Sequence, residues 1–100
     1  MNFRGLCIDR NKKIIFKEDQ PLKVTSAEFK IINLFISQPE RIFSKEQIYE
    51  TAWGELSENC THSVENMISR IRKKIEDDCK EPRYIVTVRG FGYKFKGKEN

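Results

Sequence analysis

One hundred residues with 38% hydrophobic content, seven Phe, three Tyr and one Trp suffice for a single packed domain and are too apolar for a disordered tail. No apolar run approaches the ~20 residues that span a bilayer, and the polar Met1-Asn2-Phe3-Arg4 start is not a signal peptide, so a cytoplasmic protein, or a fragment given a new start codon, is expected. The net charge of +4 is unevenly placed: residues 1–60 hold nine Lys/Arg against nine Asp/Glu, and residues 61–100 hold ten against six, so the basic back half suits a polyanion.

Short extended runs come first. Phe3–Ile8 and Lys13–Phe16 flank the polar turn Asp9-Arg10-Asn11-Lys12, and Pro21–Val24 adds a third piece, which together predict an antiparallel meander. Thr25-Ser26-Ala27-Glu28 is a capping box, so a helix follows. Its apolar positions form two adjacent faces, Ala27, Ile31, Leu34 and Phe35 beside Phe29, Ile32 and Ile36. An arc that wide predicts cover on two sides, and Pro39 ends the helix.

Arg41-Ile42-Phe43 is a short extended link, and Ser44-Lys45-Glu46-Gln47 repeats the capping pattern. The second helix is short, with Ile48/Ala52 and Tyr49/Trp53 as i,i+4 pairs and Gly54 as its stop. Trp53 with Tyr49 reads as core packing rather than a stacking platform. Glu55 to Cys60 is an acidic, polar loop.

The third helix, His62 to Glu76, buries one narrow stripe of Val64, Ile68, Ile71 and Ile75. Opposite lie His62, Asn66, Ser69, Arg70 and Lys73, a face of donors without a carboxylate, while Glu65 and Glu76 fall on the flanks. Arg72 and Lys74 border the stripe on its two sides. Beyond a polar connector, Tyr84–Val88 and Tyr93–Phe95 form a terminal β-hairpin around Arg89-Gly90-Phe91-Gly92.

Three helices followed by a basic-tipped hairpin describe an α+β winged helix-turn-helix: an N-terminal antiparallel sheet, a three-helix core and a C-terminal wing. A major groove about 12 Å wide admits one helix, so a helix with one buried stripe and one donor-rich face fits it. Arg70 suits guanine O6 and N7, and Asn66 suits adenine N6 and N7. Arg72, Lys73 and Lys74 suit phosphates, which give affinity without sequence information. Arg89, lifted on a Gly-flanked tip, suits a narrow minor groove. Taken singly, Arg70 and Lys73 only solvate a helix face and His62 is a surface residue; their co-occurrence in this order carries the reading.

These residues also carry a family pattern. Val24-Thr25-Ser26-Ala27-Glu28-Phe29 resembles the "LTxxEF" helix start of OmpR/PhoB-type response-regulator effector domains, and Ile48 to Gly54 resembles their "L…vWG" segment. Val64 to Ile75 is similar to their recognition helix, "VDVHIxRLRKKL", and Ile85 to Tyr93 is similar to their wing, "IxTVRGxGY". The resemblance spans nearly the whole chain and implies a four-stranded N-terminal sheet. It implies that Arg70 reads bases, that Arg72 contacts the DNA backbone, and that Thr87 and Arg89 act at the wing. It also implies that the loop Glu55, Leu56, Ser57, Glu58 and Asn59 meets RNA polymerase. Two departures stand out: His62 replaces a frequent Arg and Met67 a frequent His, and each removes a phosphate contact that the family pattern implies.

The family's receiver domain, which a sensor kinase phosphorylates, is absent from these residues. The expectation is therefore an excised effector domain, residues 1–100, monomeric alone and paired on direct-repeat half-sites of double-stranded DNA. No cofactor, metal or membrane partner is expected. Cys7, Cys60 and Cys79 form no CxxC, and one His with them makes a weak ligand set. An enzyme finds no support: the only His lacks an evident Ser or Cys partner and no phosphate loop occurs. The alternative is a winged helix that uses its basic face on an acidic protein, distinguished by salt dependence. Single-stranded or RNA binding fits less well, because the outward helix face and the wing tip lack interleaved aromatics.

Overall fold

The computed structural model describes residues 2–3, 5–55, 57 and 59–97. Gly5, at φ +92°, breaks the first extended run into β1 (Asn2–Phe3) and β2 (Leu6–Asp9), a division the alternating pattern did not show. Strands β3 (Ile14–Lys17) and β4 (Gln20–Leu22) complete an antiparallel sheet in the order β1-β2-β3-β4, with Ile8 opposite Ile15 and Ile15 opposite Leu22. Pro21 has no N–H to donate and sits, as that requires, in the edge strand β4. Leu6, Ile8 and Ile15 turn inward.

Helix α1 (Ser26–Ser37) starts at the expected box: Thr25 Oγ1 accepts the Glu28 N–H at 3.2 Å, and Glu28 Oε1 accepts the Thr25 N–H at 2.8 Å. Ile31, Ile32, Phe35 and Ile36 are buried while Ala27, Phe29 and Leu34 are half-buried against them, so the wide apolar arc is covered from two sides. After β5 (Ile42–Phe43), helix α2 (Lys45–Trp53) carries the second capping box, Ser44 with Gln47, and Gly54 closes it at φ +76°. Helix α3 (Thr61–Ile75) buries Val64, Met67, Ile68, Ile71 and Ile75. Strands β6 (Ile85–Val88) and β7 (Gly92–Phe95) make the hairpin, and β5 joins β7 to give a second sheet, β5-β7-β6. The fold is the expected winged helix.

One core joins these parts. Phe3 meets Phe95 edge to face at 5.1 Å between centroids, which links the N-terminal sheet to the wing, and Phe35 meets Phe43 at 5.7 Å. Trp53 departs from its expected place in that core. It is 40% exposed and packs against the half-buried Tyr49, the rings tilted by 31° with centroids 4.5 Å apart. The i,i+4 spacing brings the rings together, but Trp53 is the last residue of α2, at the edge of the packed part of the helix. Among the described residues no helix is long and apolar enough to cross a membrane.

Candidate nucleic-acid interface

Helix α3 separates its two faces sharply. His62, Asn66, Ser69, Arg70 and Lys73 are all exposed on the side away from the buried stripe. Arg72, Lys73 and Lys74 cluster in its last turn, where cations complement the negative end of the helix dipole. Met67 is 8% exposed and belongs to the core. The difference from the family pattern at that position is therefore a packing choice, not a surface phosphate contact removed.

The three last-turn cations have different fates. Lys73 is exposed. Lys74, expected at phosphate, instead places Nζ 2.6 Å from Oε1 of Glu28, a buried carboxylate on α1. A buried carboxylate without a partner is expensive, and the half-buried Lys74 supplies Glu28 with one. Burial pushes the Glu28 carboxyl up, but the Lys74 ammonium and the Thr25 N–H outweigh it and hold the carboxyl below its ordinary 4.5. A depressed folded-state pKa gives stability that is present above the unfolded value and lost as pH falls through the folded one. The stability gap between the parent and Glu28→Gln is thus expected to be widest near neutral pH and to narrow below about pH 4.5, read by urea unfolding across an acid series. A gap constant with pH would mean that Glu28 is not ionised in the fold.

Arg72 is half-buried and turned toward the wing rather than outward. Its Nε donates to the Ile85 carbonyl at 3.0 Å, its Nη2 donates to Thr87 Oγ1 at 3.0 Å, and its guanidinium lies 5.5 Å from the centre of the Tyr93 ring. Arg72 and Thr87, both expected as DNA contacts, are thus bonded to each other and tie the helix to β6.

Glu76 was expected on a flank of α3 and is instead 6% exposed, directly past the helix end. The chain turns there into an extended conformation, which brings the connector back under the carboxylate. Its two oxygens accept backbone N–H groups from Arg83 at 2.6 Å, Tyr84 at 3.1 Å and Ile85 at 2.9 Å. Those groups begin the wing, so Glu76 supplies them with partners before the β-ladder does. Nothing in local periodicity signals this role, because it depends on where the chain goes after residue 76.

At the hairpin, the loop Arg89-Gly90-Phe91 joins β6 to β7, and Val88 pairs with Gly92. Gly92, at φ +142°, lies so close to β5 that a Cβ there would sit 2.0 Å from the Phe43 carbonyl oxygen. Arg89 is exposed at the tip, and Phe91 beside it is 71% exposed. The wing tip therefore does carry an aromatic, contrary to the sequence reading. An open cleft of about 390 Å³ runs between the tip and the starts of α2 and α3, lined by Lys45, Glu65, Thr87, Arg89, Phe91 and Tyr93 among others.

The family model described as "Transcriptional regulatory protein, C terminal" matches residues 19–95. The chain belongs to that family. Its members of the OmpR/PhoB response-regulator type are DNA-binding transcription regulators rather than enzymes. This effector domain is 40% identical over 89 residues to the uncharacterized transcriptional regulatory protein YcbL of Bacillus subtilis (strain 168), covering 89% of the chain and 39% of YcbL. It superposes on the Thermotoga maritima OmpR/PhoB homologue DrrB with TM-score 0.87 at 33% identity, covering 97% of the chain and 44% of DrrB. The Klebsiella pneumoniae RstA DNA-binding domain, solved in complex with its RstA box, gives TM-score 0.87 at 27% identity, with 96% of this chain and 95% of that one covered. The effector domain spans about two fifths of the length of the curated relatives it matches.

Within the effector domain, the structure brings Asn66, Ser69, Arg70 and Lys73 onto one exposed helix face and puts Thr87 and Arg89 on the wing. His62 stands exposed in the first turn of α3. In the loop between α2 and α3, Glu55 and Asn59 are exposed and Ser57 is half-buried, its Oγ accepting the Asn59 N–H at 3.2 Å. Leu56 and Glu58, also expected to contact polymerase, lie outside the described residues. The cysteines are free: Cys60 is buried, Cys7 half-buried and Cys79 exposed. Sequence reasoning missed Glu76 and the Glu28–Lys74 pair. The second had half a signal, because a capping-box Glu beneath two apolar faces is placed where burial is expected.

Proposed function

We propose that this chain reads double-stranded DNA in two grooves at once, with α3 in the major groove and the wing in the adjacent minor groove. The observation that carries the reading is the exposed donor face of α3, Asn66, Ser69, Arg70 and Lys73, standing opposite its fully buried stripe. Arg70 and Asn66 supply base contacts, Lys73 reaches phosphates, and Arg89 enters the minor groove. Arg72 acts by holding Thr87 and the wing in place, so its contribution to DNA affinity passes through that geometry. Lys74 makes no phosphate contact while Glu28 holds it.

In the longer protein implied by the relatives, a receiver domain and its sensor kinase control this module in the bacterial cytoplasm through a phosphorelay, and two copies pair on direct-repeat half-sites. The loop of Glu55, Leu56, Ser57, Glu58 and Asn59 is assigned to RNA polymerase; the exposed Glu55 and the neighbouring exposed Trp53 support an outward-facing contact.

Selection of bound duplexes from a random library at two salt concentrations tests the reading. Enrichment of a short motif as a direct repeat is expected. Salt-sensitive binding without enrichment would leave only an electrostatic surface, and no binding would leave the basic face to an acidic protein. On the selected site, Lys73→Ala is expected to weaken all sequences alike and to reduce the slope of log K against log salt by roughly one. An unchanged slope would remove Lys73 from the phosphate path.

A further inference from the structure

The wing tip carries a side chain that phosphate attraction does not explain. Phe91 is the most exposed large apolar residue among those described, at 71%, against 44% for Ile42 and 40% for Trp53. Its position is fixed rather than loose. The Phe91 N–H donates to the Val88 carbonyl at 2.9 Å, which closes a turn around Arg89 and Gly90, and Gly90 supplies the left-handed backbone at φ +85°. On the far side, Gly92 is pressed against β5. Below, Arg72 holds Thr87 through its hydroxyl. The ring is therefore held out into water by a turn anchored on both sides.

Among the described residues, the two other exposed large apolar side chains sit on other elements. Ile42 lies on β5 opposite Lys94 and Trp53 ends α2, while the neighbours of Phe91 along the tip are Arg89 and Gly90. A single flat ring beside a guanidinium does not suit a protein partner, which needs a contiguous apolar face. The pair suits the DNA minor groove, whose sugar walls offer apolar contact to the ring and whose negative potential draws the guanidinium.

We propose that Phe91 is a second DNA-contacting residue of the wing, its ring packing against the sugar walls of the minor groove beside Arg89. This rests on the two-groove reading above. An aromatic ring releases no counterions when it binds, so its share of the affinity is independent of salt, unlike that of Arg89. Since the ring needs a groove that opens to admit it, the wing favours flanks containing flexible pyrimidine–purine steps.

The test is an anisotropy titration of the parent, Phe91→Ala, Phe91→Leu and Arg89→Ala on the duplex selected by the parent, at two salt concentrations, with thermal unfolding of each variant alongside. Phe91→Ala is expected to lose roughly five- to tenfold in affinity at both salts with an unchanged salt slope, by loss of apolar contact alone. Phe91→Leu is expected to recover part of the loss, and Arg89→Ala to lose both affinity and about one unit of slope. Repeating the selection with Phe91→Ala is expected to erase the wing-side flank preference. Parental affinity and flanks in Phe91→Ala, or a loss that lowers the salt slope as Arg89→Ala does, would overturn the proposal while leaving the two-groove reading standing. Failure of the parent itself to select any duplex would overturn both.

Discussion

Glu76→Ala is expected to lower the unfolding free energy by about 3 kcal/mol, a shift in Tm of roughly 12–24 °C for a domain of this size. The size follows from what the carboxylate does. It is buried and satisfies three consecutive N–H groups, those of Arg83, Tyr84 and Ile85. Removing it takes the carboxylate acceptor from these N–H groups, and a buried donor that loses its acceptor costs about 1–3 kcal/mol, less where water enters beside the exposed Arg83. Glu76→Gln keeps the shape and one acceptor oxygen but turns an amide NH2 toward an N–H, so an intermediate loss of about 1–2 kcal/mol is expected. Chemical denaturation of the three proteins at one pH checks the order. Both variants lying within about 0.5 kcal/mol of the parent, the range of ordinary surface changes, would show that the wing base needs no such partner.

Arg70→Ala is expected to weaken binding to the selected duplex by about 1–3 kcal/mol, roughly five- to 150-fold, and to relax specificity at one base position. Arg70 is exposed and no intramolecular partner is seen for its guanidinium among the described residues, so thermal unfolding should be unchanged. That contrast separates it from Glu76, whose loss is felt first in stability. A selection with Arg70→Ala that returns the parental motif would mean that α3 does not present Arg70 to the major groove. Arg70 and Lys73 are three residues apart on the same helix face and differ only in the kind of DNA atom they are assigned. One variant should alter the motif, and the other only the salt slope.

Much of this is legible in local chemistry alone. The capping boxes at Thr25/Glu28 and Ser44/Gln47 and the left-handed stop at Gly54 place the starts of α1 and α2 and the end of α2, because each is a contact between residues three or four apart. The stripe Val64, Ile68, Ile71 and Ile75, all buried, and the exposed face opposite follow from helical periodicity alone. The same logic misplaced residues at element ends. Trp53 has the right spacing for a core residue but lies on the last turn, and Glu76 looks like a flank residue only if the helix continues through it.

By itself, then, the amino-acid sequence determined the winged-helix class, the order of its elements and which face of α3 is free. Those properties rest on hydrophobic period, capping and turn chemistry within a few residues. Only the tertiary structure decided what each of the three last-turn cations of that helix does. Lys73 is exposed, Lys74 neutralises a carboxylate 46 residues away in sequence, and Arg72 binds a strand 13 to 15 residues downstream. The three are consecutive in sequence and alike in charge. Steps of about 100° along a helix point them at solvent, at the wing and at α1, and burial then forces a partner on each group that leaves the water.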